Sequence, residues 1–189
     1  MEKIGVHKRD IFVDRVKKAR DTQTETKQQF VTAVEQFRSV VQFQGGDLEK
    51  QYNTLNATLE KSEAGADDVR KRIRAVEEVS QALFDEWRAE IKEYTSDTLR
   101  AASQRQLDST QAKYARLIAA MKQAEAKLDP VLKPLRDQVL FLKHNLNARA
   151  IAALDGELST IQTNVDRLVR DMEVAIAEAD AFIESLQST

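Results

Sequence analysis

The chain has 189 residues, five glycines, two prolines and no cysteine, and charged residues make up 32% of it. A loop-rich or β-rich fold needs more glycine and proline, and a chain without cysteine has no disulfides or thiolate metal sites. The net charge of −2 implies no general affinity for nucleic acid, and no stretch reaches the roughly 20 apolar residues of a membrane-spanning helix. Because 42% of the residues are hydrophobic, disorder is not the default, and the composition favours long helices and coiled coils.

The first predicted helix runs from about His7 to Phe43, with apolar residues at spacings of three, four or multiples of these. Its middle, over 17–29, is nearly all polar, which predicts that this half buries little and depends on partners or on length. The segment from Gln44 to Gly46 is expected to end the helix, since glycine favours the position after a helix end. Asp47 is then a good N-cap for the next helix.

The second predicted helix runs over 47–128. Its apolar stripe alternates spacings of four and three and keeps its phase through the segment 62–68. Because a loop would have no reason to keep that phase, we predict one continuous helix through Gly65, at a cost of about 1 kcal/mol relative to alanine. The alternative is a break at Gly65, with Asp67 capping a new helix, which would make four helices.

The two prolines, Pro130 and Pro134, stand where one apolar stripe ends and another begins. The residue before a proline is pushed out of the helical region, while proline itself is tolerated in a first helical turn. We therefore predict a hairpin tip at 129–134, followed by a last helix over 131–187. The fold class is all-α: a single domain over 1–189, an elongated antiparallel coiled coil of three long helices. Its second helix would be about 120 Å long at 1.5 Å per residue.

No arrangement of residues in the sequence indicates a reaction. The two histidines, His7 and His144, are far apart, and there is no Glu-x-x-His pair, His-Glu-x-x-His zinc motif or glycine-rich phosphate loop. A strand-to-helix nucleophile elbow is incompatible with an all-helical chain. We therefore predict that the protein is not an enzyme and has no catalytic residue, no metal and no cofactor.

The segment from Pro130 to Leu154 contains the densest apolar run, Val139 to Leu142. Leu140 and Phe141 lie off the main apolar stripe, and an apolar face wider than one seam indicates a further partner. The alternative is that the polar residues here only cap and solvate the hairpin tip. The candidate interaction patch consists of Arg136, Asp137, Leu140, Phe141, Lys143, His144, Asn145, Asn147 and Arg149.

Phe84 and Trp87 lie beside the apolar stripe of the second helix. Folding the chain back at the prolines places Trp87 near Met172, which favours a core thickened by the overlap of three helices. A ligand groove between helices is the alternative, although few polar groups converge there.

Charge is unevenly distributed along the chain. Residues 1–20 hold seven Lys or Arg against three Asp or Glu, and residues 155–189 hold two against eight. Complementary solvated helix faces are the simpler explanation, and a basic N-terminal segment near an anionic surface is the alternative.

Five segments carry a family resemblance: GVHKRDIFVDRV, GGDLEKQY, RIRAVEEVSQALFDEW, RDQVLFLKHNLNARAIAAL and IAEADAFI. Together they resemble an uncharacterised family of proteobacterial predicted lipoproteins, domain-of-unknown-function family 2959. The resemblance covers nearly the whole chain, and RDQVLFLKHNLNA is its most specific part. It implies an exported helical protein on the periplasmic face of the bacterial envelope, lipidated in its full-length form. It supplies no catalytic residues, and this chain has neither a signal peptide nor a lipobox cysteine.

These observations lead us to expect a non-enzymatic structural or interaction protein of the cell envelope, acting through coiled-coil surfaces and the 130–154 hairpin tip. A protein partner or self-association is expected and nucleic acid is not. Membrane contact is expected only through a lipid anchor absent from this chain. The alternative is a helical bundle that binds a lipid or another apolar ligand, the arrangement expected if the second helix breaks at Gly65.

Overall fold

Five helices account for nearly all of the described chain. The computed structural model of the protein describes residues 2–42 and 45–188. The helices are α1 (Glu2–Val41), α2 (Leu48–Ile91), α3 (Asp97–Ala126), α4 (Leu128–His144) and α5 (Ala148–Gln187). No strand occurs in these residues, so the prediction of an all-α fold is confirmed.

The helices α3 and α4 form one interrupted arm that keeps a single direction. Lys127, between them, has helical φ and ψ angles of −88° and −7°. Contacts with α2 move steadily back along α2 as the residue number on this arm rises: Ser103 with Trp87, Lys122 with Glu77, Asp129 with Arg70, and Arg136 with Glu63. The whole arm is therefore antiparallel to α2. Within the described residues, the five helices make a four-helix bundle.

The predicted hairpin tip at 129–134 is wrong, and so is the three-helix arrangement built on it. Pro130 lies in the first turn of α4, where a missing N–H is tolerated, and Pro134 lies further inside the same helix. The prolines interrupt the hydrogen bonding of the arm without reversing the chain. The predicted helix over 131–187 is instead two helices, α4 and α5, joined by a turn at 145–147.

A second reversal, at 92–96, separates α2 from α3. Ser96 caps α3, since its side chain accepts a hydrogen bond from the Leu99 N–H at 3.3 Å. The predicted continuous helix over 47–128 is therefore wrong. At 44 residues, α2 has a length of about 66 Å, which makes the bundle roughly half as long as the predicted rod.

The turn between α1 and α2 contains two glycines with positive φ angles, 86° at Gly45 and 120° at Gly46. Such angles are strained for other residues, so the predicted stop at these glycines is confirmed. Asp47 caps α2 as predicted, accepting a hydrogen bond from the Lys50 N–H at 3.1 Å. The predicted helix end at Phe43, and Gln44 after it, lie outside the described residues.

The helix α2 continues through Gly65 without a break, as predicted. A Cβ atom at this position would lie 2.3 Å from Oε1 of Gln29 and 3.0 Å from Oγ1 of Thr26, both on α1. Thr26 also donates a hydrogen bond to the Gly65 carbonyl oxygen at 3.3 Å. Gly65 therefore gives α1 room to approach, and the alternative of a break here, with its enclosed ligand site, loses its premise.

The polar middle of α1 is buried, so the prediction that it buries little is wrong. Thr22, Gln23 and Thr26 are all at most 8% exposed. On α2, Ser62 is fully buried and donates to the Thr58 carbonyl oxygen at 3.0 Å. The centre of the α1–α2 contact is therefore a polar layer between two apolar regions.

An aromatic cluster joins all four arms of the bundle. The ring of Phe12 on α1 lies 5.2 Å from that of Phe182 on α5, 6.1 Å from Phe84 on α2 and 5.9 Å from Tyr114 on α3, between ring centroids. Burial raises the pKa of the half-buried Tyr114. The assignment of Phe84 to a thickened core is confirmed, with four helices rather than three.

The basic half of α1 faces the acidic α5. Arg20 lies 3.0 Å from Asp180, and Lys27 lies 3.8 Å from Glu173, measured between charged atoms. These contacts favour the simpler explanation of the uneven charge, complementary helix faces. Because the carboxylates are more than half exposed, each pair adds little stability and mainly matches the two surfaces.

Candidate functional site

The predicted interaction patch lies on the second half of α4, the turn at 145–147 and the start of α5. The structure thus brings its nine residues to one end of the bundle, although at a different turn from the predicted tip. Three of them have partners that explain them structurally. Nε of Arg136 donates to Glu63 on α2 at 2.7 Å, Nδ2 of Asn145 donates to the Phe141 carbonyl oxygen at 3.0 Å, and Oδ1 of Asn147 accepts from the Ala150 N–H at 3.0 Å.

The apolar members of the patch point into solvent. Leu140 is 57% exposed and Phe141 is 46% exposed, and the nearby Leu146 is 39% exposed. Six large hydrophobic side chains are exposed in the described residues, and these three fall within seven consecutive positions. Their neighbours Val139 and Leu142 are buried in the core. The end of α4 therefore has a complete inner face and a second, uncovered apolar face.

Charged and polar side chains surround this uncovered face. All four remaining members of the patch are exposed: Asp137, Lys143, His144 and Arg149. Lys143 also lies in the last turn of α4, where the helix dipole favours cations. The arrangement is an apolar centre with a rim in which cations outnumber the single carboxylate. Its chemistry suits the docking of another surface, because protein interfaces combine an apolar centre with a polar rim.

A cleft of about 750 Å³ lies at the opposite end of the bundle. Its cause is a difference in helix length: Lys113 on α3 donates to Ser185 near the end of α5 at 2.7 Å, and α3 extends past that level for the residues 97–112. Over this stretch α1, α2 and α3 continue without α5. Within the described residues, no helix occupies the fourth position of the bundle there.

The walls of the cleft differ in character. The apolar walls come from Leu83, Trp87, Tyr94 and Leu186, and the cations from Arg9, Arg105 and Lys113. Trp87 donates from Nε1 to Oγ of Ser103 at 2.9 Å, so its predicted place beside Met172 is wrong. Arg9 donates to the Leu186 carbonyl oxygen, and Lys8 pairs with Glu86 in the wall.

This cleft is not among the sites predicted from the sequence. One signal was present: between 103 and 110 only Leu107 is large and apolar, which is the pattern expected of a helix with one uncovered side. Trp87 is also a candidate for lining a ligand groove, the less favoured of the two interpretations of its sequence position. What the sequence did not reveal is where α5 ends relative to α3, and that difference creates the cleft.

Two further features bear on function in the described part of the chain. No group of three or more His, Cys, Asp or Glu side chains there is placed to hold a metal ion. None of the described helices combines the length and apolar character needed to cross a membrane.

Comparison with protein-family models identifies the family of this chain. Residues 1–186 match the family described as "Protein of unknown function (DUF2959)". A comparison with curated proteins finds no match. The family match covers nearly the whole chain, including both the patch on α4 and the cleft.

Proposed function

The chain belongs to the DUF2959 family of proteins of unknown function, and we propose that it is a non-enzymatic interaction protein of the bacterial cell envelope. Its docking surface would be the apolar end of α4. One observation carries the proposal: Leu140, Phe141 and Leu146 form an exposed apolar group at a place where the core beneath is already filled. The envelope location, as a periplasmic lipoprotein in the full-length form, is supported by the sequence resemblance, above all by RDQVLFLKHNLNA.

The composition of this surface supports a protein partner. Protein interfaces combine a desolvated apolar centre, often with an aromatic residue, and a polar rim. Phe141 provides the aromatic anchor, and Lys143 and Arg149 make the rim more basic than acidic. The partner would therefore present an apolar pocket with carboxylates around it.

A photo-crosslinking experiment in the host tests this proposal. A photoreactive residue replaces Phe141 in the full-length protein, and in a matched control it replaces Val174, another exposed apolar residue, on α5. We expect a discrete crosslinked protein from position 141 and none from position 174. Crosslinking of equal strength at both positions, or none at 141, would contradict the proposal. A product with twice the mass of the protein would identify the partner as a second copy.

A substitution at Phe141 tests how much this side chain contributes to the binding of the partner. Phe141→Ser should weaken binding of the identified partner by about 30-fold or more, the loss expected for an aromatic anchor. Because Phe141 is 46% exposed, the variant should keep its helical circular dichroism and its melting temperature. Val174→Ser should change neither binding nor stability. A Phe141→Ser protein that binds normally would show that the apolar end of α4 is not the docking surface.

A further inference from the structure

We propose that the cleft at the end of α5 binds an anionic amphiphile with a single alkyl chain. This ligand site is separate from the docking surface on α4, because the two lie at opposite ends of the bundle. The proposal therefore stands or falls independently of the proposed function. It rests on the shape of the cleft, the apolar side chains in it and the placement of its cations.

The shape follows from the level at which α5 ends beside α3. The segment 97–112 of α3 extends about 24 Å beyond the level of Ser185, which lies two residues before the end of α5, at 1.5 Å per residue. Apolar groups that a fourth helix would cover, including Trp87 and Tyr94, line the resulting cleft. Its volume of about 750 Å³ falls within the range of roughly 300–1,000 Å³ that is typical of small-ligand sites. A volume of this size accommodates an alkyl chain together with its head group.

Two of the three cations of the cleft lie on its α3 wall. Arg105, Ser109 and Lys113 are spaced by four residues on α3, so they follow one face of the helix and line the cleft together. A carboxylate or phosphate head group could accept charge-assisted hydrogen bonds from this row. The apolar side chains lie mainly on α2, across the cleft. The two walls thus match the two parts of an amphiphile.

Two acidic residues, Glu86 and Glu90, also line the cleft, and they offset the positive charge of its cations only in part. Glu86 is paired with Lys8, which offsets its charge. Glu90 lies on α2 with Trp87, whereas the row of cations lies on α3. Arg9 adds a third cation at the end of α5, where it donates to the Leu186 carbonyl oxygen. The α3 wall therefore attracts an anionic head, and the α2 wall receives the tail.

The protein contains its own reporter for this site, because Trp87 is its single tryptophan. The full chain would be titrated with dodecanoate, dodecyl phosphate and dodecanol below their micelle concentrations, with tryptophan emission as the signal. We expect a saturable blue shift with either anion, and affinity for dodecanol at least about tenfold weaker, the loss expected without charged hydrogen bonds. The relative affinity of the two anions would identify the preferred head group.

Variants on α3 decide whether the row of cations is responsible. Arg105→Ala should weaken binding of the preferred anion by about tenfold, and Arg105→Lys should restore most of it. Arg116→Ala, on the same helix but outside the cleft, should leave binding unchanged. All variants would first be checked for unchanged helicity.

Three outcomes would overturn the proposal. The first is the absence of a saturable shift in Trp87 emission with either anion. The second is equal affinity for dodecanol and the anions, or equal losses from Arg105→Ala and Arg116→Ala. The third is a concentration-dependent dimer that shifts Trp87 emission without any amphiphile, since a second copy would then fill the cleft.

Discussion

Gly65 shows how one residue without a side chain sets the distance between two helices. Its place on α2 faces Thr26 and Gln29 of α1, and a Cβ there would lie at 2.3–3.2 Å from their atoms. Gln29 could swing its amide away, but the β-branched Thr26 has few rotamers and holds its hydrogen bond to Gly65. Glycine at this position therefore lowers the helix propensity of α2 but allows α1 and α2 to approach closely at the polar layer.

Alanine substitutions at two helical glycines should have opposite effects. Gly65→Ala should lower the free energy of unfolding by about 1 kcal/mol, because overpacking of about 1–3 kcal/mol exceeds a propensity gain of about 1 kcal/mol. Gly156→Ala should raise it by about 1 kcal/mol, since a Cβ at Gly156 meets nothing within 4 Å. Urea unfolding midpoints would measure both. If Gly65→Ala raised the free energy of unfolding as much as Gly156→Ala does, α1 would have room to move away from the added Cβ.

At the scale of helices, the sequence predicts which residues face the core better than where the chain turns. The stripe of α2 keeps its phase through Gly65, and the side chains on it are buried as expected. The same spacing continues across the turn at 92–96, which contains neither glycine nor proline. Apolar periodicity alone could not reveal this turn. The available signal was local: Ser96 followed by Asp97 is a typical start of a helix.

The hairpin tip predicted at the two prolines is wrong for a related physical reason. Proline in the first turn of a helix is compatible both with a new helix after a reversal and with an interrupted arm that continues. Packing against α2 decides between the two, as the contacts of Asp129 and Arg136 with α2 show. That information lies in long-range contacts, which one sequence does not display.

Capping by Ser96 should be measurable, because this turn has no glycine to set its geometry. Ser96→Ala removes the acceptor for the Leu99 N–H and should cost about 1 kcal/mol of stability. The matched control is Ser159→Ala, at an exposed position inside α5, which should gain up to about 0.5 kcal/mol in helix propensity. Equal changes in the unfolding midpoints of the two variants would mean that the Ser96 cap contributes nothing.

At the scale of the whole molecule, both candidate sites arise from the ends of the bundle. The exposed Leu140 and Phe141 could be predicted, because they lie off the apolar stripe whatever the packing. The cleft could not, because it depends on α5 ending close to the level of Lys113 while α3 continues. In between, the aromatic cluster around Phe12 joins all four arms, so the two ends are held by one continuous core.

Small-angle X-ray scattering tests this architecture directly. A cylinder about 66 Å long, the length of α2, and about 22 Å wide has a radius of gyration of roughly 20 Å. A compact globule of this size would give about 16 Å. A rod about 120 Å long would give a radius of gyration of roughly 35 Å, because a continuous helix over 47–128 keeps its ends apart.

Light scattering on the same sample would establish whether the particle is a monomer. Phe141→Ser provides a control against association through α4. A monomer with a radius of gyration near 35 Å would contradict the turn at 92–96. The cleft would then not exist either, because its walls depend on that turn.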